Sequence, residues 1–574
     1  MIPTGMSSAP PLPARLRKSR YISWFGHMGA VYLFHDLYGY LMEMSPDIAE
    51  MIESFEGGVD TKETIAYYQG KFGDADPGQF VETLAGHAVL VDADDDEIDG
   101  IWAYIPIHGK WNIWQRKDDR LTFWTAWGEN PIQQINLDAA ETAIWDALDG
   151  NKRLIELRHH HDNAKIVGLV RKLVHSDVQA LKLSMMPWSV YAKRPAMAPA
   201  YLTSTMPYPK WKIGTRPPGT REAAAGDPRA SMNMISPTEY YKQDITDADA
   251  QFDHQETTLS HLLRIPHPVL GGRTYGQKLV DVLIARGAVP DGRVRVLEIG
   301  AGLGYVARDA IAALSDAGRA VEYTIVELAP ALAKAQQERI GAAAATWIIG
   351  DVLAVDLPAV SFDLILSNEM AGDLPAIQLT RADLGLEADQ GNVVVEKLRA
   401  YSTVAADRGV NLDDAPDPLY LMTGAFELVE KIAGWLAPGG TSVITEFGDR
   451  SAWPKLSTHL DHPEFSTHFG QLHQIAKAAG LEANIEFVID LLDFDREQKG
   501  LATTRSHFRA LRALAAGVDL DLPKIGYTPE LLANTVGDKL DLSSVGELRW
   551  DKIEDRLMGL VPHEFKALIL RRPR

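Results

Sequence analysis

A glycine-rich turn between an apolar strand and an amphipathic helix is the sequence feature that most constrains how this chain can fold. The stretch VLEIGAGLGYVARDAI, residues 296–311, places glycines at every second position, namely Gly300, Gly302 and Gly304. Backbone without side chains lets a ligand come close, and the first turn of the following helix offers free N–H groups. Further apolar runs alternate with helical patterns up to residue 447, which predicts a largely parallel, doubly wound α/β sheet of the Rossmann-like type.

Acidic residues stand at the ends of three successive predicted strands. Glu298 precedes the glycines, where it suits the cationic amino or sulfonium end of S-adenosylmethionine (SAM) and would repel a pyrophosphate. The glycine spacing also departs from the G-x-G-x-x-G of dinucleotide sites. Glu327 closes the next strand, where a carboxylate accepts hydrogen bonds from ribose hydroxyls, and Asp351 closes the third, where an adenine amino group is read. Each alone could be a solvated strand-end acid, but together they predict SAM as the cofactor.

The stretch LILSNEMAGDLPAIQL, residues 364–379, places an amide and two carboxylates where the transferred methyl group would emerge. We predict that Glu369 and Asp373 bind the methyl acceptor and that Asn368 orients it. His468, further along the chain, is predicted to accept a proton. Structural alternatives exist for all four, since the first three could cap helices and the histidine could be a satisfied core residue.

This part of the chain resembles the MidA-like methyltransferases, in which a Gly-rich turn is followed by an N-E-x-x-D-A-L-P motif. SNEMAGDLP matches that motif, and RTYGQKLVDVL, EFSTHFGQLHQIAKAAG and MGLVPHEFKALIL extend the similarity over about 265–574. The resemblance implies a class I methyltransferase domain over 246–574. It also implies an arginine side chain as the acceptor, because the mitochondrial complex I assembly factor of that family methylates a protein arginine. Two departures concern the acceptor pocket: Asp373 lies one residue nearer the Leu-Pro pair, and Glu446 replaces the aspartate of the family's D-Y-G.

The N-terminal half carries two copies of a strand-plus-three-helix pattern after a flexible segment predicted over 1–20. The first copy, over 21–108, includes MEMSPDIAEMIESFEGG, and the second, over 109–200, includes INLDAAETAIWDALDGNKRLIELRHHH about ninety residues later. This layout resembles the PqqD-like domains of ribosomal peptide modification, which implies that a peptide adds as an extra strand at a sheet edge. The alternative is a small α+β, winged-helix-like pair that packs on the catalytic part or dimerises. The Pro- and Gly-rich segment 201–245 is predicted to be a linker or a lid.

Composition excludes several partners and reaction types. With 57 basic and 78 acidic side chains, the formal net charge of −21 disfavours nucleic acid and anionic lipid. The chain has no cysteine and therefore no disulfide, thiolate nucleophile or cysteine-ligated zinc. No apolar stretch reaches the roughly 20 residues of a membrane span. We expect a cytoplasmic protein whose partner is a peptide or protein substrate, without nucleic acid, membrane or metal, and with a homodimer left open.

The sequence therefore predicts a SAM-dependent methyltransferase that acts on a peptide or protein side chain, with arginine favoured. Two alternatives stay open. One is a non-catalytic assembly or scaffold protein that keeps the methyltransferase fold, and the other is a small-molecule methyltransferase whose N-terminal half is a lid or a dimer arm.

Overall fold

The protein divides into two compact units. The structure, a computed structural model, describes residues 12–94 and 102–184 with short gaps, 210–213, 234–235, 241, 258–379, and 408–574 with short gaps. The first unit comprises Met1–Glu222, Thr503–Asp521 and Val536–Leu548, and the second comprises Ala223–Ala502, Leu522–Thr535 and Arg549–Arg574.

Strands and helices alternate along much of the described chain. The strands are β1 (Arg15–Lys18), β2 (Ile22–His27), β3 (Ala30–His35), β4 (Tyr40–Met44), β5 (Val59–Asp60), β6 (Leu90–Asp92), β7 (Ile105–His108), β8 (Asn112–Lys117), β9 (Arg120–Thr125), β10 (Gln133–Leu137), β11 (Leu181–Ser184), β12 (Lys210–Ile213), β13 (Met234–Ile235), β14 (Arg293–Ile299), β15 (Ala320–Glu327), β16 (Thr346–Ile349), β17 (Phe362–Asn368), β18 (Ala376–Leu379), β19 (Leu419–Leu421), β20 (Leu436–Asp449), β21 (Leu456–His459), β22 (His462–Phe465), β23 (Thr467–His468), β24 (Glu482–Phe487), β25 (Lys499–Leu501), β26 (Val545–Gly546), β27 (Trp550–Lys552) and β28 (Phe565–Arg571). The α-helices are α1 (Pro46–Glu53), α2 (Thr61–Gln69), α3 (Pro77–Gly86), α4 (Ala139–Ala147), α5 (Leu154–Leu157), α6 (Asn163–Val174), α7 (Leu259–Leu262), α8 (Tyr275–Ala285), α9 (Tyr305–Asp316), α10 (Pro330–Ile340), α11 (Thr423–Trp435), α12 (Phe469–Ala478), α13 (Val488–Leu491), α14 (Arg505–Ala516) and α15 (Pro529–Val536). Short 3-10 helices cover Pro268–Leu270, Ala371–Asp373, Gly537–Lys539, Leu542–Ser544 and Pro562–Glu564.

The first unit contains the same order of elements twice. In the first copy β2, β3 and β4 form an antiparallel sheet, α1, α2 and α3 follow, and β6 returns to pair with β1. In the second copy β8, β9 and β10 form the sheet, α4, α5 and α6 follow, and β11 returns to pair with β7. Each copy has its own core, one around Leu33 and Ile52 and the other around Phe123 and Leu169. The repeat inferred from the sequence is therefore present as a repeat of elements, while the resemblance to PqqD-like domains stays a prediction.

The helix starts of this unit follow from local sequence signals. The Asp60 side chain accepts hydrogen bonds from the first backbone N–H groups of α2, and Asp76 does the same before α3. Asp138 and Glu141 form a reciprocal capping box at the start of α4. These caps explain why the polar residues before each apolar run indicate the helix starts.

Two features of the first unit differ from the domain boundaries expected from sequence. Residues 15–18, inside the segment predicted as flexible over 1–20, form β1, because Leu16 is buried and the strand pairs with both β5 and β6. Within the range 246–574, which the sequence predicts as one domain, α14 packs on β8 and β9, and Val545 of β26 pairs with Gln115 of β8. These two segments belong to the first unit because they complete its second sheet. Most of the predicted linker over 201–245 lies outside the described residues.

The second unit is built on a mostly parallel sheet in the order β16-β15-β14-β17-β20-β28-β24. Neighbouring strands from β16 to β20 run parallel, and β28 runs antiparallel between β20 and β24. Strands β14 and β17 are apolar runs buried on both faces, as is typical of parallel strands covered by helices. The predicted doubly wound, Rossmann-like sheet is confirmed.

A large apolar core holds this sheet together. Leu297 of β14, Ile365 of β17 and Ile444 of β20 pack with side chains of α11 and α12. Among the described residues, no helix combines the length and the apolar composition that a membrane crossing requires.

Candidate active site

A cavity of about 150 Å³ opens beyond the carboxyl ends of β14, β15, β16 and β17 in the second unit. The strand order reverses between β14 and β17, so the cavity lies at the topological switch point where open α/β sheets bind ligands. Its lining includes most of the residues predicted from sequence: Glu298, Gly300, Gly302, Glu327, Asp351, Asn368, Glu369 and Asp373. Gly304 and His468 are not among the residues that line it.

Glu298 is a buried carboxyl group at the end of β14, only 1% exposed. The hydroxyl of Tyr323 donates a hydrogen bond of 2.5 Å to its Oε2 atom. Burial raises the pKa of Glu298 to about 7; the Tyr323 hydrogen bond opposes this rise and the charge of Glu327 adds to it. Among the described residues no basic side chain contributes to this shift, so a cationic ligand would stabilise the ionised form of Glu298.

Glu327 has the same character at the end of β15. Its Oε1 atom accepts from the backbone N–H of Ala329 at 3.0 Å, and its Oε2 atom accepts from the Gln336 side chain at 2.8 Å. Burial raises the pKa of Glu327 to about 7, against the effect of these hydrogen bonds. Gln336 also donates to the carbonyl of Gly302 at 2.8 Å, which ties the carboxyl group to the glycine turn.

The glycine turn adopts backbone angles that favour glycine. Gly300, Gly302 and Gly304 have φ values of +66°, +51° and +79°. A Cβ atom on Gly300 would lie 2.7 Å from Cγ of Met370, whereas one on Gly302 would meet no atom within 4 Å. The lack of a side chain at Gly300 therefore allows close packing against Met370, which follows β17. Gly302 leaves open space where a ligand can reach the backbone. Gly304 begins α9.

Asp351 follows β16 and is half-buried at the cavity edge. Its Oδ1 atom accepts from the backbone N–H of Leu353 at 2.9 Å. The predicted contact of Asp351 with an adenine amino group stays a prediction.

Asn368 and Glu369 connect the end of β17 to α7. The Glu369 carboxylate accepts from the backbone N–H groups of Leu259 at 2.9 Å and Ser260 at 3.0 Å. The Asn368 amide donates to the Ser260 hydroxyl at 2.8 Å and accepts from the Thr445 hydroxyl at 2.8 Å. Glu369 thus caps α7, which precedes it in the chain, and not the following helix that the sequence alternative named.

Asp373 also lines the cavity and accepts a 3.1 Å hydrogen bond from the hydroxyl of Tyr241. Buried Glu446 accepts from the neighbouring backbone N–H of Gly372 at 3.0 Å. Burial raises the pKa of Glu446 well above its usual range, and the nearby carboxylates of Glu464, Glu369 and Asp373 raise it further. This side of the cavity therefore gathers several carboxyl groups, and burial favours the neutral form of Glu446.

His468 lies at the start of α12 and has a structural role there. Its Nδ1 atom accepts from the backbone N–H of Gln471 at 3.3 Å, which caps α12, and its ring lies edge-on to Trp453 with centroids 5.7 Å apart. The predicted proton-accepting role stays a prediction without support from this arrangement.

Several cavity residues were missed from the sequence. Thr258, Ser260 and His261 of the α7 region line it, as do Tyr241 and Tyr305. The only local signal is the Thr-x-x-His start of a short helix, whose Thr258 hydroxyl accepts from the His261 backbone N–H at 3.2 Å. Tyr305 follows the last glycine directly.

The ring of Tyr305 is held by guanidinium groups. The guanidinium of Arg339 lies 4.0 Å from the ring centroid, and those of Arg264 and Arg308 lie at 5.3 Å. His261 meets the same ring edge-on at 5.5 Å. The aromatic wall beside the glycine turn is therefore fixed by contacts that no local sequence pattern indicates.

The residues of the cavity fit SAM. Glu298 and Glu327 are buried acids held by neutral donors, which suits the hydroxyl and cationic groups of this cofactor and opposes a pyrophosphate. Gly302 leaves backbone open beside them. The prediction of SAM over a dinucleotide agrees with this donor and acceptor set.

Comparisons with known proteins agree with this assignment. Residues 276–452 match the family described as "Putative S-adenosyl-L-methionine-dependent methyltransferase". The malonyl-[acyl-carrier protein] O-methyltransferase of Anoxybacillus flavithermus is 34% identical over 95 residues, which make up 17% of this chain and 35% of that protein. The chain thus spans about a third of the length of this curated relative.

Solved structures show a weaker likeness. A "likely methyl transferase" from Burkholderia thailandensis bound to S-adenosyl-homocysteine is 16% identical to this chain. The match covers 59% of this chain and 88% of that protein's chain, with a TM-score of 0.34. Phosphoethanolamine N-methyltransferase 2 from Haemonchus contortus, in complex with SAM, is 14% identical, covers 60% of this chain and 61% of its own, and has a TM-score of 0.30. At these scores the fold assignment depends on the sheet order of the chain itself.

The sheet order, the acid-and-glycine cradle and the family match define the second unit as a Rossmann-like, class I methyltransferase fold with SAM as its cofactor. The matched segment, 276–452, contains every predicted site residue except His468. The predicted enzyme class is confirmed for this segment. The MidA-like relationship and the nature of the acceptor are finer statements that belong to the proposal below.

Proposed function

We propose that this protein transfers the methyl group of SAM to a side chain of a peptide or protein, with an arginine guanidinium as the favoured acceptor. The observation that carries the proposal is the group of neighbouring carboxyls at one side of the cavity. Asp373 lines that side, Glu369 lies beside it, and buried Glu446 and half-buried Glu464 lie close enough to influence one another's charge. A cationic acceptor would relieve this repulsion, whereas an anionic one would add to it.

The residues of the chain divide the work between cofactor and acceptor. SAM supplies an electrophilic methyl group on a positively charged sulfur. Glu298 and Glu327 bind and orient the cofactor from the strand ends. Asp373 contacts the acceptor and holds its nitrogen in line, because a protonated guanidinium is a poor nucleophile until a carboxylate orients it and stabilises its charge. The proton that the nitrogen loses passes to solvent or to this carboxylate.

The sheets of the first unit support the proposal that the acceptor side chain belongs to a peptide. Strand β12 pairs in parallel with β4, from Lys210 opposite Leu41 to Ile213 opposite Met44. The edge of the first repeat therefore accepts an added strand, which is the binding mode that peptide-recruiting sheets use. In the second repeat, the ammonium of Lys172 donates to the carbonyl of Asn136 on the equivalent strand β10 at 2.7 Å. Lys172 belongs to α6, and its ammonium occupies an acceptor of this edge strand, which discourages further pairing there. We therefore assign recruitment to the first repeat, where a peptide would take the place of β12.

A methyl-transfer assay on the full-length protein tests the proposal. The protein would be incubated with SAM and three synthetic peptide pools, one containing arginine, one containing lysine in its place and one containing neither, and S-adenosylhomocysteine would be measured. We expect turnover with the arginine pool, and a loss of at least about tenfold in kcat/KM for Asp373→Asn. The matched control is Asp356→Asn, an exposed acid outside the cavity lining.

Three outcomes contradict parts of the proposal. Equal turnover of all three peptide pools would contradict the proposal that the acceptor is cationic. SAM binding without turnover of any pool would favour the scaffold alternative, and turnover that Asp373→Asn leaves unchanged would remove this carboxylate from the acceptor site.

A further inference from the structure

The cavity holds an acidic residue, Glu369, whose contacts differ from those of an acceptor-binding group. We propose that Glu369 is a positioning residue, whose carboxylate fixes α7 as a wall of the SAM cavity. The inference rests on the proposed function, because it concerns the same site. It also replaces the acceptor-binding role predicted for this residue and leaves Asp373 to perform that role.

The carboxylate of Glu369 is directed at the start of α7. One oxygen of Glu369 accepts from the backbone N–H of Leu259 and the other from that of Ser260, at 2.9 and 3.0 Å. These are the first two N–H groups of α7, which have no partner within the helix. Bonds to a charged acceptor are stronger than neutral ones. Both oxygens are thus engaged by the protein before any substrate binds.

A second set of bonds leads to the same helix. Asn368 accepts from the Thr445 hydroxyl and donates to the Ser260 hydroxyl, each at 2.8 Å. The bonds form a chain from β20 through the end of β17 to α7. Asn368 and Glu369 therefore act on one target, the segment that begins at Ser260.

The backbone fixes where the carboxylate can point. Glu369 has a φ of +51°, a left-handed conformation that is uncommon for a residue other than glycine. Its own N–H donates to the carbonyl of Thr445 at 2.9 Å. Such a conformation persists only where surrounding contacts hold it, and such residues cluster at functional sites.

Helix α7 needs this external support. It has four residues, from Leu259 to Leu262, and a helix that short has no stability of its own in water. Thr258, Ser260 and His261 line the cavity, and His261 packs edge-on against Tyr305. Loss of the Glu369 contacts would therefore loosen one wall of the cofactor cavity.

Substitution of Glu369 by glutamine tests the inference. Glu369→Gln retains one acceptor oxygen and brings an NH2 group against a backbone N–H donor, so at least one bond to α7 is lost. We expect the Kd for SAM, measured by titration calorimetry, to rise about five- to twentyfold. Hydrogen exchange of the peptide covering 258–263 should become faster in the variant, both with and without SAM.

Two further variants separate positioning from acceptor binding. Ser260→Ala removes the bond from Asn368 while keeping both backbone bonds to Glu369, and it should raise the Kd about two- to threefold with a smaller rise in exchange. It also keeps the test decisive if Glu369→Gln fails to fold. Glu322→Gln, an exposed acid on β15, is the matched control and should change neither quantity.

The outcomes distinguish this inference from the proposed function. If Glu369→Gln lowers turnover but leaves the Kd for SAM and the exchange of 258–263 unchanged, Glu369 binds the acceptor and the inference is wrong. If the Kd rises while exchange does not change, Glu369 contacts the cofactor directly, which also overturns it. Failure of the unaltered protein to bind SAM would overturn the proposed function itself.

Discussion

The two sides of the cavity are held together over very different distances along the chain. On the cofactor side, Glu327 bonds to residues two and nine positions away, and Glu298 bonds to one 25 positions away. On the acceptor side, Glu369 bonds to residues 110 and 109 positions away, and Asp373 to one 132 positions away. The cofactor cradle is thus a nearly self-contained piece of sequence, whereas the acceptor side is assembled by the fold.

This difference separates what each side should control. The cradle contacts are present wherever β14, β15 and their helices pair, so changes there should act directly on SAM. The acceptor side depends on remote segments, so changes there should act on the acceptor or on the shape of the cavity wall. The following predictions test that division, beginning with the largest effect.

Glu327→Ala should weaken SAM binding most. A carboxylate that accepts hydroxyl hydrogen bonds contributes about 1.5–3 kcal/mol for each, so the loss of two raises the Kd by about 100-fold or more. Titration calorimetry measures this directly. Glu322→Ala, on the same strand but exposed and paired with Arg293, should bind SAM as the unaltered protein does. Equal binding by both variants would show that the cradle lies elsewhere.

A rise in pH should lower the stability of the folded apo-protein and should strengthen the binding of SAM. Glu298 and Glu327 have pKa values raised to about 7 by burial, above the 4.5 of the unfolded chain. The folded apo-protein holds these protons more tightly. Their contribution to stability is therefore complete below about pH 4.5 and is lost as the pH rises through 7. SAM, being cationic, favours the ionised carboxylates, so its affinity should rise about tenfold from pH 6 to pH 8.

Two titration series check these signs. Calorimetric Kd values at pH 6, 7 and 8 should fall with pH, while the denaturant midpoint of the apo-protein should fall over the same range. Glu298→Gln should flatten both trends. A SAM affinity that is constant across this range would mean that neither carboxyl group changes charge on binding.

Gly300→Ala should have an intermediate effect. The new methyl group combines a φ of +66° with an approach of 2.7 Å to Met370, whose flexible side chain can move. We expect about a fivefold increase in the Kd for SAM and a loss of about 1 kcal/mol in stability, since a left-handed conformation costs an alanine roughly that much. Gly318→Ala has a similar φ of +76° with nothing within 4 Å. It should lose similar stability without any loss of SAM affinity.

Asp373→Asn should affect SAM binding least. The proposed function places this residue at the acceptor, and its bond from Tyr241 can be kept by the amide oxygen, so the Kd for SAM should stay within about twofold. The same calorimetric titration measures it. A rise comparable to that of Glu327→Ala would mean that the cofactor extends across the cavity and that the division into two sides is wrong.

The success of sequence interpretation follows the same division. Glu298, the glycines, Glu327 and Asp351 could be identified because strand ends and a glycine turn are local patterns. The caps of the first unit, Asp60 and Asp138, are local in the same sense, since each bonds to residues two or three positions away. Local pattern did not indicate that residues 15–18 form a strand, because that strand depends on pairing with β5 and β6.

Contacts between residues that are distant in the chain could not be predicted from the sequence. Ser260, His261 and Tyr241 carry no motif, and the capping of α7 by Glu369 joins segments more than a hundred residues apart. The return of α14 and β26 to the first unit is equally invisible from the sequence, since the strand partner of Val545 is Gln115.

The sequence by itself determined the parallel sheet, its glycine turn and the acids that make a SAM cradle, because strand periodicity, backbone freedom and strand-end position are all properties of neighbouring residues. Only the tertiary structure decided which carboxylate bonds to a tyrosine hydroxyl and which one holds a helix. Glu369 and Asp373 are four positions apart and chemically alike. What distinguishes them is the partner that folding brings to each, the N–H groups of α7 for one and the hydroxyl of Tyr241 for the other.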